Sequence, residues 1–384
     1  MAENNFIFLD YNSTTPVDQK VLEFMLPWFT ESFANPASTS HFAGRRVAEQ
    51  IEIFRNTLAE LLGCEPSELI FTSGSTEAIN MAILGTAKAY QSKGKHIITW
   101  KTEHKAVLDT CMALVDDGYE VSLLDVDREG LPDLQQLKNA VRSDTILVAM
   151  MLVNNETGVI MPVHDAVQIA HQAGALFLCD ATQAAGKMQF TIGETGADML
   201  CLSAHKFFGP KGTGLLYIKR KNPRVTLAPV YRGGGHDRGI RPGTLNVPGI
   251  AGMCKAYELA TETLWETTSR ISKLRTLLEQ QLTANGFGYV NGSIRNRICN
   301  TTNIQFPGIK ASKLIAGLPQ IALATGSACN SVKPEPSHVL MAMGLQTAEA
   351  ESSIRFSLGK NHQPDELMRA ASEIKNAVTE LRSI

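Results

Sequence analysis

Apolar residues in this chain fall into short continuous runs, and the segments between most of these runs show helical periodicity. The runs predict strands at residues 69–72, 96–100, 120–124, 145–152, 175–180, 198–203 and 214–218. A continuous apolar run is typical of a strand buried on both faces, and alternation with helices is typical of a parallel sheet. The pattern therefore predicts an α/β fold with a mostly parallel sheet of seven strands.

Helical periodicity continues after the last of these strands. It predicts a long helical stretch over residues 250–284, which we expect to lead into a smaller α+β domain near residue 260. The length of 384 residues and the hydrophobic content of 44% are enough for about two domains with a sizeable core. No change in composition marks a linker between them.

Two of the predicted strands are followed by residues with useful chemistry. Asp180 ends the run 175–180, and Lys206 follows the run 198–203. Ligands of open α/β sheets bind beyond the carboxyl ends of the strands, where an amine and a carboxylate from two strands meet. A lysine forms a Schiff base with the aldehyde of pyridoxal phosphate, and a carboxylate keeps the pyridine nitrogen protonated. The pair suggests a pyridoxal phosphate enzyme, although a solvated loop lysine and a turn-capping aspartate give the same pattern.

The segment FTSGSTEA at residues 71–78 predicts a phosphate site. A short strand gives way here to hydroxylic residues and then to a helical pattern. Main-chain N–H groups at a helix N-terminus, together with the hydroxyls of Ser75 and Thr76, favour a bound phosphate. Gly74 and Glu77 also fit an ordinary capped helix. Ser203 and His205, beside Lys206, are further candidate phosphate donors.

With these residues in view, the chain resembles the cysteine desulfurases of the class V aminotransferase type, in particular the subgroup with a long cysteine loop. The resemblance covers nearly the whole chain and rests on ordered blocks: LDYNSTTP at 9–16, FANPAS at 33–38, TEHKAV at 102–107, VNNETG at 153–158, DATQ at 180–183, SAHK at 203–206, GGGH at 233–236, GSAC at 326–329 and SIRFSLG at 353–359.

The resemblance implies the type I fold of pyridoxal phosphate-dependent transferases. It places a large cofactor-binding domain at residues 15–259. It assigns residues 1–14 and 260–384 to a small domain that carries the catalytic cysteine loop, at about 324–336.

The resemblance also implies roles for the cofactor-binding residues. Lys206 corresponds to the lysine that binds the cofactor, Asp180 to the partner of the pyridine nitrogen, and Gln183 to a donor to the ring hydroxyl. His104 corresponds to a histidine that stacks on the ring and moves protons, which suits a side chain that titrates near neutral pH. A histidine in a surface loop is the alternative reading of His104.

Two further residues correspond to those that hold the substrate carboxylate. They are Asn155, which also belongs to the cofactor site, and Arg355, whose planar fork matches a carboxylate. A surface ion pair is the alternative for Arg355. Thr244 corresponds to a threonine that reaches the cofactor phosphate of the other subunit, which implies a homodimer.

Cys329 distinguishes this group from its transaminating relatives. The segment around it is rich in glycine, serine, alanine and proline, which predicts a loop rather than a buried strand. A thiolate in a loop can attack the sulfur of bound cysteine, whereas most unpaired cysteines are buried apolar residues. Asn330 replaces the threonine usual in this subgroup, and we expect sulfur transfer to tolerate the change.

The implied activity is the conversion of L-cysteine to L-alanine, with the sulfur left on Cys329 as a persulfide. An acceptor protein would then take the sulfur, such as an iron–sulfur scaffold or a carrier for tRNA thiolation. The family's scaffold partner docks partly on a C-terminal tail, and we expect that tail to be shortened here.

Other functions remain open. A selenocysteine lyase shares the lysine, the acid and the phosphate groups. A class V transaminase would not need Cys329, and a noncatalytic scaffold for sulfur transfer would not need the cofactor.

Composition excludes several classes of partner. The net charge of −2 gives no reason to expect direct nucleic-acid binding. No apolar stretch is long enough for a membrane span and no leader pattern opens the chain, so we expect no membrane and a cytoplasmic protein. The seven cysteines include no Cys-x-x-Cys pair and the histidines are scattered, so we expect neither disulfides nor a metal.

Overall fold

The computed structural model describes residues 6–235, 239–326 and 335–383. The strands of this described part are β1 (Ile7–Phe8), β2 (Leu69–Thr72), β3 (His96–Trp100), β4 (Glu120–Leu124), β5 (Thr145–Met151), β6 (Leu176–Asp180), β7 (Met199–Ser203), β8 (Gly214–Ile218), β9 (Tyr289–Asn291), β10 (Thr301–Gln305), β11 (Ile321–Ala322) and β12 (Ser353–Ser357).

Its α-helices are α1 (Gln19–Met25), α2 (Pro27–Thr30), α3 (Phe42–Leu62), α4 (Ser75–Tyr90), α5 (Lys105–Ala113), α6 (Leu134–Ala140), α7 (Val163–Gln172), α8 (Ile192–Thr195), α9 (Val247–Glu262), α10 (Leu264–Thr283), α11 (Ala311–Gly317), α12 (His338–Ala342), α13 (Thr347–Glu351) and α14 (Pro364–Arg382).

Seven strands form the main sheet, in the order β2-β8-β7-β6-β5-β3-β4. All neighbours pair in parallel except those of β8, which runs antiparallel to both β2 and β7. The predicted α/β fold and mostly parallel sheet are confirmed, and each predicted strand matches an observed one to within one residue. The agreement follows from burial, because continuous apolar runs of this length form strands covered on both faces.

Helices cover both faces of this sheet. Along β6, Phe177 and Cys179 pack against one hydrophobic core with α3, α7 and α9. Leu176 and Leu178 point to the opposite face, where a second core includes residues of α4 and α5. Successive side chains of a strand alternate between faces, so a run that is apolar throughout supplies both cores.

A second, smaller region contains two sheets. Strands β12, β10 and β9 form an antiparallel sheet in that order, and β1 pairs in parallel with β11. Their apolar side chains form one core with α10 and α14. The domain boundaries inferred from the sequence stay a prediction.

The long helical stretch predicted at residues 250–284 is wrong in one respect, because it consists of two helices. Helix α9 already begins at Val247, where the side chain of Asn246 accepts a hydrogen bond from the N–H of Gly249. It ends before Thr263, whose hydroxyl bonds the carbonyl of Leu259 at 2.9 Å. The main-chain N–H of Thr263 bonds the same carbonyl at 3.3 Å, so this residue closes the last turn of α9. Among the helices of the described residues, none is long and apolar enough to cross a membrane.

Candidate active site

A cavity of about 460 Å³ opens beside the carboxyl ends of β5 and β6 in the main sheet. The structure brings most of the predicted site residues together here. Those that line the cavity are Ser75, His104, Asn155, Asp180, Gln183, Lys206 and Arg355. They come from regions of the chain as far apart as the start of α4 and strand β12, so the sheet edge gathers them as expected for an open α/β fold.

Lys206 lies at the end of a short 3₁₀ turn that follows β7. Its Nζ donates hydrogen bonds to the carbonyls of Asn12 and Ser13, at 2.7 and 2.8 Å. These two acceptors fix the position of the amine inside the cavity.

Asp180 ends β6 and is 7% exposed. Its Oδ1 accepts hydrogen bonds from the N–H of Thr182, at 3.0 Å, and from the thiol of Cys201, at 3.4 Å. Both contacts use the same oxygen, so Oδ2 can face a ligand in the cavity. Nearby, Gln183 donates from Nε2 to the carbonyl of Asn12 at 2.9 Å.

His104 caps the N-terminus of α5. Its Nδ1 accepts a hydrogen bond from the N–H of Ala106 at 3.1 Å, which places the ring proton of the neutral form on Nε2. Burial lowers the pKa of His104, the carboxylate of Asp180 partly opposes this shift, and Lys206 reinforces it. His104 is therefore mainly neutral at pH 7, with its ring proton on Nε2.

Four predicted phosphate-binding residues, Ser75, Thr76, Ser203 and His205, line a second cavity that shares Ser13 and Ser75 with the first. We call these four residues the phosphate end of the site. Helix α4 begins at Ser75, and its N-cap residue Gly74 provides no side-chain hydrogen bond. Its first N–H groups are therefore available to an anion, which the helix dipole also favours.

A close approach between two glycines shapes the phosphate end. Gly214 pairs with Ser203 across β7 and β8. A Cβ at Gly214 would lie only 2.5 Å from the Cα of Gly74. Glycine is needed there because only a residue without a side chain lets β8 pass this close to the turn before α4.

His205 is uncharged at neutral pH. Burial lowers its pKa to about 4, and the positive charges of Lys206, Lys211 and Lys187 act in the same direction. Its Nδ1 lies 3.1 Å from the hydroxyl of Thr14. A neutral imidazole still provides one N–H donor for a phosphate oxygen.

At the other side of the cavity, three residues form what we call the carboxylate end: Asp10, Asn155 and Arg355. Arg355 is 3% exposed. Its Nη2 lies 2.5 Å from Oδ1 of Asp10, and its Nη1 donates to the carbonyl of Asn155 at 3.1 Å. The guanidinium is thus held by the protein itself, with its orientation set before a substrate arrives.

Glu156 contacts residues on both sides of the segment 327–334. It is 1% exposed, and its Oε2 accepts a hydrogen bond from the hydroxyl of Ser337 at 2.5 Å. The same oxygen faces Gly326, where an added Cβ would lie 2.2 Å from it and where φ is +96°. Burial raises the pKa of Glu156.

One predicted residue lies apart from both cavities. Thr244 is exposed, on the segment that precedes α9, and lines neither cavity. Cys329 lies outside the described residues.

The polar groups of the site fit pyridoxal phosphate. Among the described residues, Oδ1 of Asn155 and Oγ1 of Thr182 are buried side-chain atoms without a hydrogen-bond partner, and both residues line the cavity. Unsatisfied buried polar atoms are rare and indicate a missing partner. The two adjoining cavities bring together an amine, a carboxylate and a helix N-terminus whose first N–H groups are available to an anion. These groups match the aldehyde, the ring nitrogen and the phosphate of this cofactor.

Several cavity residues have no individual signal in the sequence pattern. Asn12 and Ser13 lie within the LDYNSTTP block, but nothing in that block indicates that their carbonyls receive the lysine amine. His338 lines the cavity and donates from Nε2 to the carbonyl of Glu103 at 2.9 Å. Asp10 pairs with Arg355, which lies 345 residues away, and local periodicity cannot predict such a contact.

Residues 7–369 match the family described as aminotransferase class-V. The chain is 46% identical to a protein named cysteine desulfurase IscS from Anaeromyxobacter sp. (strain Fw109-5), over 98% of this chain and 94% of that protein. A solved structure of a NifS-like protein superposes with a TM-score of 0.91 at 36% identity, covering 98% and 100% of the two chains. Another, of SspA in complex with cysteine, has a TM-score of 0.81 at 35% identity, covering 92% and 98%.

Proposed function

The chain belongs to the class-V aminotransferase family, and on that basis we propose that it is a cysteine desulfurase that uses pyridoxal phosphate. The enzyme converts L-cysteine to L-alanine and keeps the sulfur as a persulfide. The observation that carries the proposal is the identity of 46% to a cysteine desulfurase over nearly the full length of both chains. A structural relative, SspA, was solved in complex with cysteine, which supports the choice of substrate.

Pyridoxal phosphate, when bound, withdraws electrons from the carbon skeleton of the amino acid and so makes the bonds at Cα and Cβ easier to break. Lys206, Asp180 and Gln183 would hold its aldehyde, ring nitrogen and ring oxygen. The phosphate end would hold its phosphate.

Lys206 is the residue that takes the proton from Cα of the substrate. The carbonyls of Asn12 and Ser13, at 2.7 and 2.8 Å, stabilise the charge that the amine then carries. We also assign a second proton transfer to His104. Burial lowers its pKa, so that the ring readily passes on a proton that it takes up.

The carboxylate end orients the substrate. Arg355 offers a planar set of N–H donors that matches the carboxylate of an amino acid. Because Asp10 and the carbonyl of Asn155 hold the guanidinium, little conformational freedom is lost when the substrate binds.

Sulfur transfer requires a nucleophile, and we assign that role to Cys329. Its thiolate forms an S–S bond to the substrate sulfur while the C–S bond of the substrate breaks. Cβ then gains a proton and L-alanine leaves, so enzyme thiol plus L-cysteine become enzyme persulfide plus L-alanine. An acceptor protein takes the terminal sulfur, for iron–sulfur assembly or tRNA thiolation.

We also propose that the enzyme is a homodimer. Thr244 is exposed and lies apart from the phosphate end of its own chain. An exposed hydroxyl in this position is available to the phosphate end of a partner subunit.

The test is to incubate the cofactor-loaded protein with L-cysteine and a thiol reductant and to measure alanine and sulfide in the same samples. We expect equal and steady formation of both products. Lys206→Ala should form neither, and Cys329→Ala should lose sulfide and alanine together.

Other outcomes would contradict the proposal. Sulfide without alanine would indicate elimination to pyruvate. Full activity of the Cys329→Ala protein would contradict the role of Cys329, and formation of neither product by the wild type would indicate a transaminase or a noncatalytic scaffold. Much faster turnover of selenocysteine than of cysteine would indicate a selenocysteine lyase.

A further inference from the structure

Lys187 has no role in the mechanism above, yet its amine lies next to the cofactor-binding residues. It belongs to the turn after β6, four residues beyond Gln183. Its Nζ donates a hydrogen bond to Oε1 of Gln183 at 2.6 Å. Burial lowers the pKa of Lys187 to about 7, and the charge of Lys206 acts in the same direction.

The contact decides whether the oxygen or the nitrogen of the Gln183 amide faces Lys187. The oxygen and the nitrogen of an amide have nearly the same shape, so only their hydrogen bonds distinguish them. A lysine ammonium has donors and no acceptor. When Lys187 is charged, the Gln183 atom that faces it is therefore the oxygen, and the hydrogen bond from Gln183 Nε2 to the carbonyl of Asn12 gives the same orientation whether or not Lys187 is charged.

The nitrogen of Gln183 is consequently directed to the opposite side. It donates to the carbonyl of Asn12 at 2.9 Å, and this carbonyl also accepts a hydrogen bond from Lys206 at 2.7 Å. An amide nitrogen has two hydrogens. One is used by Asn12, and the other is left for an acceptor on a ligand in the cavity that Gln183 lines.

The reverse orientation of the amide would produce two conflicts. Oε1 would meet the carbonyl of Asn12, which is also an acceptor, and Nε2 would meet the amine of Lys187, which is a donor when charged. Both conflicts occur in a largely buried network, since Gln183 is only 6% exposed. Without Lys187, only the contact to Asn12 would favour the observed orientation.

We propose that Lys187 is a positioning residue that fixes the amide of Gln183, so that Gln183 presents an N–H group to the ring oxygen of pyridoxal phosphate. The inference rests on the proposed function, because it assumes this cofactor. Lys187 acts through Gln183 and does not touch the cofactor itself.

The test compares cofactor binding by the full-length wild type and by Lys187→Met, which keeps the length of the side chain and removes the donor. Each protein is stripped of cofactor and titrated with pyridoxal phosphate, and the absorption spectrum of the loaded protein is recorded. We expect the dissociation constant to rise about tenfold in Lys187→Met, as for the loss of one hydrogen bond to a charged group. The spectrum should shift in the same direction as in Gln183→Ala.

A double variant separates positioning from general stability. Because Lys187 acts through Gln183, Lys187→Met should add no further loss of cofactor affinity when Gln183 is already alanine. Lys187→Gln, which keeps a donor, should recover most of the affinity and also serves if Lys187→Met fails to fold. Lys255→Met is the matched control, because this partly exposed lysine pairs with Glu258 on α9 and should leave binding unchanged.

If Lys187→Met raised the dissociation constant of pyridoxal phosphate as much in the Gln183→Ala protein as in the wild type, the inference would be overturned. A wild-type spectrum and affinity in Lys187→Met would overturn it as well. A wild type that binds the cofactor without desulfurating cysteine would overturn only the proposed function, whereas a wild type that binds no pyridoxal phosphate would overturn both.

Discussion

The phosphate end of the site is built from two short segments at the edge of the main sheet, whereas the carboxylate end joins three distant parts of the chain. Ser75 and Thr76 begin α4, and Ser203 and His205 flank the end of β7. By contrast, Asp10 follows β1, Asn155 follows β5, and Arg355 lies within β12. The first end depends on local structure, and the second depends on the packing of the small sheets against the large one.

The two ends also differ in electrostatics. Arg355 already has a carboxylate partner in Asp10, at 2.5 Å. At the phosphate end, His205 faces three lysines that oppose its protonation, and it stays neutral. The carboxylate end thus has a charge pair in place before a ligand binds, while the phosphate end offers neutral hydrogen-bond donors beside a helix N-terminus, which suit a phosphate.

The largest effect should come from removing Arg355. We expect Arg355→Ala to lower kcat/KM for L-cysteine by roughly 100-fold, because truncating one partner of a buried charge pair costs about 2–5 kcal/mol. Cofactor affinity should change little, since the phosphate end is intact. Steady-state kinetics and cofactor titration on the same protein measure the two effects separately.

Arg355→Lys is the matched variant for this prediction. It keeps the charge and loses the planar fork, so its kcat/KM should lie between those of wild type and Arg355→Ala. If the Arg355→Ala protein lost cofactor affinity as strongly as activity, the two ends would not be independent.

A smaller effect is expected at the phosphate end. Ser203→Ala should raise the dissociation constant of pyridoxal phosphate about tenfold, since a hydrogen bond to a charged group contributes about 1.5 kcal/mol. At saturating cofactor, kcat/KM for L-cysteine should stay close to the wild-type value. The measurement is a fluorescence titration of the stripped protein with the cofactor.

Ser272→Ala, on α10 and away from both cavities, serves as the control for a lost serine hydroxyl. The prediction is wrong if Ser203→Ala binds the cofactor as tightly as this control does.

The smallest effect concerns pH and His205. Its pKa is about 4 in the folded protein, below the ordinary value of 6.5. When the pH falls through 6.5, the unfolded chain gains a proton that the folded protein does not accept until about pH 4, so stability decreases over this range. His205 should therefore contribute about 1 kcal/mol to the loss of stability between pH 7 and pH 5. A fully buried group with this shift would contribute roughly 2 kcal/mol, but the side chain is partly exposed and solvent screens it.

Urea unfolding of the cofactor-free wild type and His205→Gln at both pH values measures this contribution. The variant should lose less stability than the wild type on acidification. Equal losses would show that His205 titrates normally in the folded protein, and the electrostatic contrast between the two ends would then disappear.

The strands of the main sheet could be predicted from the sequence because each is a continuous apolar run. Helix ends were harder to predict. Nothing in the periodicity of residues 250–284 indicates the break at Thr263, where the hydroxyl bonds the carbonyl of Leu259. Local polar contacts of this kind leave no trace in a hydrophobic pattern.

The site could be predicted in part. Asp180 and Lys206 could be identified from their positions after strands, because strand ends converge at one edge of a parallel sheet. The contact of Lys187 with Gln183 is also local, at a spacing of four residues, but no pattern distinguishes this lysine from a solvated one.

The sequence by itself determined the secondary structure of the main sheet, the candidate chemistry of Lys206 and Asp180, and the hydroxyl-rich start of α4. These features depend on apolar runs, strand ends and helix starts, all of which are local. Only the tertiary structure decided that Arg355 meets Asp10, that the carbonyls of Asn12 and Ser13 hold the lysine amine, and that Glu156 contacts both Gly326 and Ser337. Those contacts join residues far apart in the chain, and their geometry is set by how the two regions pack together.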